Sequence, residues 1–143
     1  MTNGYFGIAL FEPKTPENIG LVLRNAQCFG VDIIYLIGKR FKKTPTNTTK
    51  TERHIPIIEC SDIKDFKNHI PVECKIIAVE VDGHEINNFV HPKQCVYLFG
   101  GEDRNVPKEF NKRIKINTSH CLNMAVSTAI VCFDRTNKSQ RII

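Results

Sequence analysis

Short apolar runs alternate along this chain with segments of helical periodicity, and this alternation limits the possible folds more than any other feature. Tyr5–Phe11, Val31–Ile37 and Lys75–Val81 are three such runs. Runs of apolar, β-branched residues are typical of strands that are buried on both faces of a parallel sheet. Their alternation with helices predicts an α/β fold, with a mostly parallel sheet and helices on both faces.

Capping and turn residues predict where these elements begin and end. Thr15 followed by Pro16 is typical of an N-cap and a proline at the first helical position, and Gly30 suits a C-cap. An apolar stripe at helical spacing lies between them. The other predicted elements are strands at Ile55–Ile58, Gln94–Phe99 and Arg113–Ile116, a short helix capped by Ser61, and a turn at Asp82–Gly83 that ends a strand.

The last predicted helix is apolar on two sides. Met124 and Val131 lie roughly opposite a stripe that consists of Leu122, Ala125, Val126, Ala129, Ile130 and Phe133. One side can cover the sheet, but a chain of 143 residues is too short to add a further layer over the other. The second apolar side therefore predicts contact with a partner subunit.

Composition argues against several classes of protein. With 41% hydrophobic and 24% charged residues, the 143-residue chain is typical of a soluble globular protein, and we expect one domain over residues 1–143. No apolar run approaches the roughly 20 residues of a membrane span, and the N-terminus does not resemble a signal peptide. These features predict a cytoplasmic protein. The six cysteines show no CxxC or Cys/His ligand spacing, which predicts reduced structural thiols and no metal site.

Positive charge is concentrated in one segment of the chain. The net charge of +5 favours a polyanionic partner only weakly, but a basic segment with the single acid Glu52 contains Lys39, Arg40, Lys42, Lys43, Lys50 and Arg53. Solvated surface charge is the common explanation of such a run. The alternative is contact with RNA, with Lys39, Arg40, Lys42, Lys43 and Arg53 as the candidate residues.

Familiar nucleotide-binding and hydrolase motifs are missing from the sequence. There is no GxGxxG, GxxxxGK[ST], GxSxG or HExxH, which argues against a dinucleotide-binding Rossmann domain, a P-loop NTPase, an α/β-hydrolase and a zinc protease. Polar residues nevertheless interrupt the apolar pattern in three places, at 16–26, 98–107 and 120–127. Ligands of open α/β sheets bind at the carboxyl ends of strands, so these segments are the candidate site.

Each segment also has a purely structural interpretation. Asn18 and Asn123 suit the start of a helix, where backbone donors need acceptors. Arg24 lies off the apolar stripe and suits the surface, although a guanidinium also suits a phosphate clamp. The glycines after Phe99 suit a tight turn or close approach to a ligand, and Asn105 suits a left-handed turn.

Together and in this order, the three segments resemble the motifs of the SpoU/TrmH class of SPOUT methyltransferases. The match comprises N-x5-R in PENIGLVLRNAQCFG, then FGGEDRNVP, and then I-N-T…C-L-N-M-A-V-S-T-A near the end. It extends from Gly4 to Asp134. The likeness is greatest to minimal members without an RNA-binding extension, such as the TrmL-like tRNA wobble-position enzymes.

The resemblance implies a fold, a cofactor and a reaction. The fold would contain a deep trefoil knot at the C-terminal end, an exception to the usual rule against threaded chains. S-adenosylmethionine (SAM) would lie bent in the knot, and the family works as a homodimer packed through its first and last helices. The reaction would be methyl transfer to a ribose 2′-hydroxyl of tRNA or rRNA, without a metal. The implied cofactor contacts fall on Val79, Gly100, Ile116, Cys121 and Leu122.

The motif positions that would carry the chemistry are Asn18, Arg24, Glu102 and Asn123. Because an arginine pKa exceeds 12, we favour Arg24 as an electrostatic stabiliser of the ribose alkoxide rather than as a free base. Cys121 stands where the family usually has serine, and Asn105 replaces a usual glycine. These departures leave two alternatives open: a degenerate knotted module that binds RNA without methylating it and, much less favoured, a flavodoxin-like or receiver-like domain.

Overall fold

The computed structural model describes residues 4–40, 54–101 and 103–141. All recorded strand pairings in these ranges are parallel, and the strand order is β3-β2-β1-β5-β4-β6. This confirms the predicted α/β fold with a parallel sheet. In chain order the elements are β1 (Tyr5–Phe11), α1 (Pro16–Phe29), β2 (Ile33–Ile37), β3 (Ile57–Cys60), α2 (Ile63–His69), β4 (Lys75–Glu85), a 3-10 turn (Ile86–Asn88), β5 (Gln94–Gly100), β6 (Arg113–Lys115) and α3 (Met124–Arg141).

Helices cover both faces of the sheet, as predicted. Along β1, Phe6 and Leu10 pack in the core that also contains residues of α1 and α3. Ala9, which points to the opposite face, packs in a second core with Phe66 of α2. Each large apolar side chain that is fully buried in this way contributes roughly 1.5–3 kcal/mol of transfer free energy to folding.

The ends of α1 follow the sequence signals more closely than those of α2. Pro16 begins α1 after the extended Thr15, and Gly30 ends the helix in the left-handed conformation with φ of 71°. The predicted cap of α2 is wrong by one residue. Asp62, rather than Ser61, is the N-cap, because its carboxylate accepts the Asp65 amide hydrogen at 2.8 Å.

The predicted turn at Asp82–Gly83 is also wrong, because β4 continues to Glu85. Its register against β6 shifts between Val79 and His84, so the intervening residues form an irregularity inside the strand. Asp82 forms an ion pair with Arg113 (Nε–Oδ1 2.9 Å), and a Cβ on Gly83 would lie 2.5 Å from the carbonyl carbon of Ile114. Glycine is therefore required by close strand contact rather than by a turn.

The structure shows which apolar side of α3 faces the sheet. Met124 and Val131 are buried against the sheet, whereas Val126 and Phe133, from the other predicted stripe, are 46% and 61% exposed. Periodicity identified two apolar sides but could not choose between them. The contacts decide, because the buried side also contains Arg135, which is 2% exposed and bonds across to the sheet.

Arg135 anchors α3 at the amino end of β5. Its Nη1 donates to the carbonyl of Pro92 at 2.7 Å and to the Tyr97 hydroxyl at 3.0 Å. His91 connects the same hydroxyl to Asp134, with distances of 2.6 and 2.7 Å from its two ring nitrogens. A buried guanidinium is tolerated only where such partners satisfy it, so this network fixes the position of α3 along the sheet. None of the described helices has both the length and the hydrophobicity needed to cross a membrane.

Candidate functional site

A cleft of about 540 Å³ opens at the carboxyl edge of the sheet. Its walls come from the ends of β4, β5 and β6 and from the segment that enters α3. This is the edge where ligands of open α/β sheets bind, and the volume is typical of a small-molecule site.

The five residues implied as cofactor contacts all line this cleft. They are Val79, Gly100, Ile116, Cys121 and Leu122, which come from separate parts of the chain. The side chains of Val79, Ile116 and Leu122 offer an apolar surface suited to a flat aromatic ring. The structure therefore brings the implied positions together in one place.

Gly100 and Gly101 are required by the packing of their own loop. A Cβ on Gly100 would lie 2.4 Å from the carbonyl oxygen of Arg104 and 3.0 Å from a carboxylate oxygen of Glu80. A Cβ on Gly101 would lie 2.5 Å from the carbonyl oxygen of Glu12. The loop therefore folds tightly back on the sheet, and any side chain at these positions would displace the wall of the cleft.

An arginine from the segment after β2 holds the same loop. Arg40 donates two hydrogen bonds to the Asp103 carboxylate, at 3.0 and 2.7 Å, and a third to the Glu12 carbonyl at 2.6 Å. The hydrogen-bonded Arg40 guanidinium lowers the pKa of the Asp103 carboxyl to about 2.

The left-handed turn predicted at Asn105 is absent. Among the described residues, Glu12, with a φ of 51°, is the one non-glycine residue with positive φ.

The first and third motifs meet through two asparagines. Asn123 Nδ2 donates to Asn18 Oδ1 at 2.9 Å, across 105 residues of sequence. Asn123 Oδ1 accepts the amide hydrogen of Ala125 at 2.8 Å, so the residue also caps α3 as its structural interpretation predicted. The Asn123 side chain therefore caps the start of α3, lines the cleft and links α3 to α1 through Asn18.

Replacing Asn123 with alanine is expected to destabilise the fold by about 1 kcal/mol, the typical effect of losing an N-cap side chain. Urea unfolding of the two proteins measures this difference. Asn123→Asp is the matched control, because aspartate keeps the cap acceptor and lacks the amide donor to Asn18. If Asn123→Asp is destabilised as much as Asn123→Ala, the hydrogen bond to Asn18, rather than the cap, is what stabilises the fold.

Arg24 does not line the cleft of its own chain. It is exposed on α1, as the periodicity predicted, and shares a helical face with the exposed Leu21. Lys39 is exposed, whereas the guanidinium of Arg40 is engaged with Asp103. Four other predicted site residues, Glu102, Lys42, Lys43 and Arg53, lie outside the described residues.

Comparison with known proteins identifies the family. A sequence model described as the SpoU rRNA Methylase family matches residues 5–133. The chain belongs to this SpoU family. The match agrees with the resemblance inferred from the three motifs.

One curated relative of this SpoU-family chain is an uncharacterised tRNA/rRNA methyltransferase of Borreliella burgdorferi. The two are 26% identical over 142 residues, which cover 90% of this chain and 62% of the relative. The chain therefore spans less than two thirds of the relative's length.

Solved structures share the fold of this SpoU-family chain. One was determined to study the 2-OH methylation of C/U34 on tRNA; it has a TM-score of 0.86 and 20% identity, with coverage of 97% of this chain and 99% of that chain. Another is the SpoU methyltransferase AviRb from Streptomyces viridochromogenes in complex with AdoMet, with a TM-score of 0.84, 14% identity, and coverage of 99% of this chain and 63% of that chain. These likenesses establish the fold.

Sequence reasoning missed two acidic residues at the cleft of this SpoU-family chain. Glu80 lines the cleft and accepts the amide hydrogen of Val106 at 2.5 Å, and Asp103 pairs with Arg40. Glu80 interrupts the apolar strand KIIAVEV, and a charged residue in an otherwise apolar run was a signal that could have found it. The ion pair between Asp103 and Arg40 could not be predicted from local sequence patterns, because the two residues lie 63 positions apart.

Proposed function

We propose that this chain is a SAM-dependent RNA methyltransferase that modifies a ribose 2′-hydroxyl of tRNA or rRNA. The observation that carries this proposal is that the cleft is lined by the five implied cofactor positions and by Asn123 of the third motif. The Borreliella relative, described as a tRNA/rRNA methyltransferase, and the structure studied for tRNA 2-OH methylation support methyl transfer to RNA.

The residues of the cleft fit SAM. Val79, Ile116 and Leu122 suit the adenine ring, and the glycine backbone after β5 offers polar groups without side chains in front of them. Glu80 and Asp103 line the cleft together with Arg104 and Lys115, so side chains of both charges are present for the cationic and anionic groups of SAM. When bound, SAM supplies an activated methyl group on a sulfonium.

The protein's task is then to align the ribose oxygen with that methyl group and to stabilise the charge that develops on the oxygen. We assign the charge stabilisation to Arg24. An adjacent RNA phosphate would accept the hydroxyl proton as the methyl group bonds to oxygen and its bond to sulfur breaks, which leaves a neutral thioether. Asn18 and Asn123 position the groups around the reaction, and Glu102 stays a predicted catalytic residue from its place in the second motif. Lys39, Lys42, Lys43 and Arg53 would contact the RNA backbone.

We also propose that the protein is a homodimer. Three apolar side chains on α1 and α3, Leu21, Val126 and Phe133, are 50%, 46% and 61% exposed. The two helices lie side by side, since Asn25 Nδ2 donates to the Ala125 carbonyl at 3.0 Å. Arg24 shares the exposed face of α1 with Leu21, so in this dimer it would lie at the interface, near the active sites.

Light scattering at micromolar concentration is expected to give twice the 16.3 kDa mass of one chain. Phe133→Lys should shift the protein to monomer, because a charge would be buried in the proposed apolar contact. Val72→Lys is the matched control, since Val72 is fully exposed and lies between α2 and β4, away from both helices. A wild-type monomer, or the same loss of dimer in both variants, would contradict the interface.

The remaining expectations extend the same proposal. We treat residues 1–143 as one methyltransferase domain that works in the cytoplasm. The trefoil knot stays a prediction from the family, with which the strand order agrees.

The test of the proposed function has two steps. Chelator-treated protein is expected to bind SAM in calorimetry, and incubation with labelled SAM and fractionated cellular RNA should give a 2′-O-methylated nucleoside in mass spectrometry. Binding that strictly requires added metal, or methyl groups found only on bases, would contradict the proposal. SAM binding is tested first because it does not depend on knowing the RNA.

One observation favours a second candidate, a degenerate module that binds RNA without methylating it. Cys121 lines the cleft and places a weak thiol where the family usually has a hydroxyl. RNA binding without measurable SAM binding would favour this alternative. Cys121→Ser then distinguishes the cause, because restored SAM binding would assign the loss to this single position.

A further inference from the structure

A second group of polar side chains lies at the opposite edge of the sheet from β6, where β3 meets α2. Cys60 ends β3, and Asp65 and His69 lie one turn apart on α2. The Cys60 Sγ is 4.0 Å from His69 Nδ1, which in turn is 3.6 Å from Asp65 Oδ1. One ligand atom from each of the three residues lies within 4.8 Å of the others. None of the three lines the cleft described above.

These separations are close to those of a tetrahedral zinc site. Zinc bonds of about 2.3 Å to sulfur, 2.0–2.1 Å to nitrogen and 2.0–2.2 Å to oxygen place neighbouring ligand atoms roughly 3.4–3.6 Å apart. The observed thiol–imidazole distance exceeds this by a few tenths of an ångström. The three ligand atoms lie within 4.8 Å of one another, so rotations of the side chains would have to bring them closer around the ion.

The surroundings orient the ligands. The Ser61 amide donates to Asp65 Oδ2 at 2.9 Å, which leaves Oδ1 directed toward His69, and such outer hydrogen bonds are typical of metal-binding carboxylates. The side chains of Asp65 and His69 are 35% and 39% exposed, so an ion can enter from solvent although Cys60 is buried. The competing interaction is the contact of His69 Nδ1 with the Asp65 carbonyl at 2.8 Å, which the metal would have to replace.

We propose that Cys60, Asp65 and His69 bind one zinc-class divalent cation, with water as the fourth ligand. The ion would link α2 to β3, because its ligands come from both elements. The Cys60 carbonyl also accepts the Gly38 amide hydrogen at 2.9 Å, which places the site beside the start of the basic segment. The sequence interpretation predicted no metal site, because the cysteines show no CxxC or Cys/His ligand spacing. The three residues here follow a Cys-x4-Asp-x3-His spacing instead. The inference does not depend on the proposed methyl transfer.

Cobalt(II) titration of the reduced, metal-free protein tests the site, because thiolate coordination to cobalt gives a charge-transfer absorption band in the near ultraviolet. One equivalent per chain should develop the band, and added zinc should remove it. Cys60→Ser is expected to abolish the band. His69→Gln, at an exposed position where folding is not at risk, should weaken cobalt binding by at least about 10–100-fold, the typical loss when only an outer-shell partner is removed. Circular dichroism checks that both variants are folded.

Cys28→Ser and Cys121→Ser are the matched controls, because both remove exposed thiols outside the group. They should leave the band and its stoichiometry unchanged. Because zinc-class metals bind the deprotonated thiolate and the neutral imidazole, binding should strengthen as pH rises from 6 to 8. No band in the wild-type protein, a band that survives Cys60→Ser, or wild-type affinity in His69→Gln would overturn the site.

Discussion

Arg24→Ala is expected to reduce methyl transfer by about 100-fold or more, while SAM affinity and melting temperature stay close to wild type. The size follows from the typical loss when one preorganised donor to a developing oxyanion is removed. Stability should be unaffected because Arg24 is exposed on α1, whereas the buried stripe of that helix consists of Ile19, Val22, Leu23 and Ala26. Single-turnover assays with saturating SAM and an identified RNA substrate measure the effect.

Two further variants show whether the effect belongs to the guanidinium. Arg24→Lys should recover little activity, because an ammonium does not reproduce the planar pair of donors. Gln27→Ala changes another exposed residue one turn further along α1 and should leave turnover unchanged. Wild-type turnover in Arg24→Ala would assign the arginine to the solvated surface and require another residue for charge stabilisation.

Gly100→Val is expected to abolish SAM binding at concentrations that saturate the wild-type protein. The added side chain would first collide with the carbonyl oxygen of Arg104 and with Glu80, at 2.4 and 3.0 Å from the Cβ. Because backbone cannot yield as a flexible side chain can, the loop after β5 must move, and with it a wall of the cleft. Calorimetric titration with SAM measures the loss.

Gly30→Ala is the control for a general effect of filling a glycine. Gly30 has φ of 71° but open space around its Cβ position, and it lies at the end of α1, away from the cleft. Alanine there should lower stability by roughly 1 kcal/mol through backbone strain and leave SAM affinity unchanged. Tight SAM binding by folded Gly100→Val would show that the loop does not form the cofactor site.

Much of the fold could be predicted from local patterns. Tyr5–Phe11 is a strand with the predicted bounds, and α1 begins at Pro16 and ends before Gly30. These features depend on neighbouring residues, because a proline fixes its own φ and glycine tolerates a left-handed end. The prediction of a turn at Asp82–Gly83 was wrong because the pairing of β4 with β6 resumes beyond the bulge and overrides the local preference of these residues for a turn.

The candidate site was partly predictable for a similar reason. The motif order indicated Gly100, Asn123 and the implied cofactor positions, all of which line one cleft. The Glu80–Val106 hydrogen bond and the Arg40–Asp103 pair were missed, since they join residues 26 and 63 positions apart. Such pairs cannot be predicted from local sequence patterns, because residues far apart along the chain become neighbours only in the folded structure.

By itself, the sequence determined the class of sheet, the ends of its first helix and the family to which the chain belongs. These follow from residue periodicity, backbone preference and ordered motifs, all of which are written along the chain. Only the tertiary structure decided which apolar side of α3 faces the sheet, why Arg135 is buried, and that Cys60 lies beside His69. The physical reason is that burial and pairing are free-energy differences between whole arrangements of the chain, so a side chain's role depends on partners that folding alone brings near.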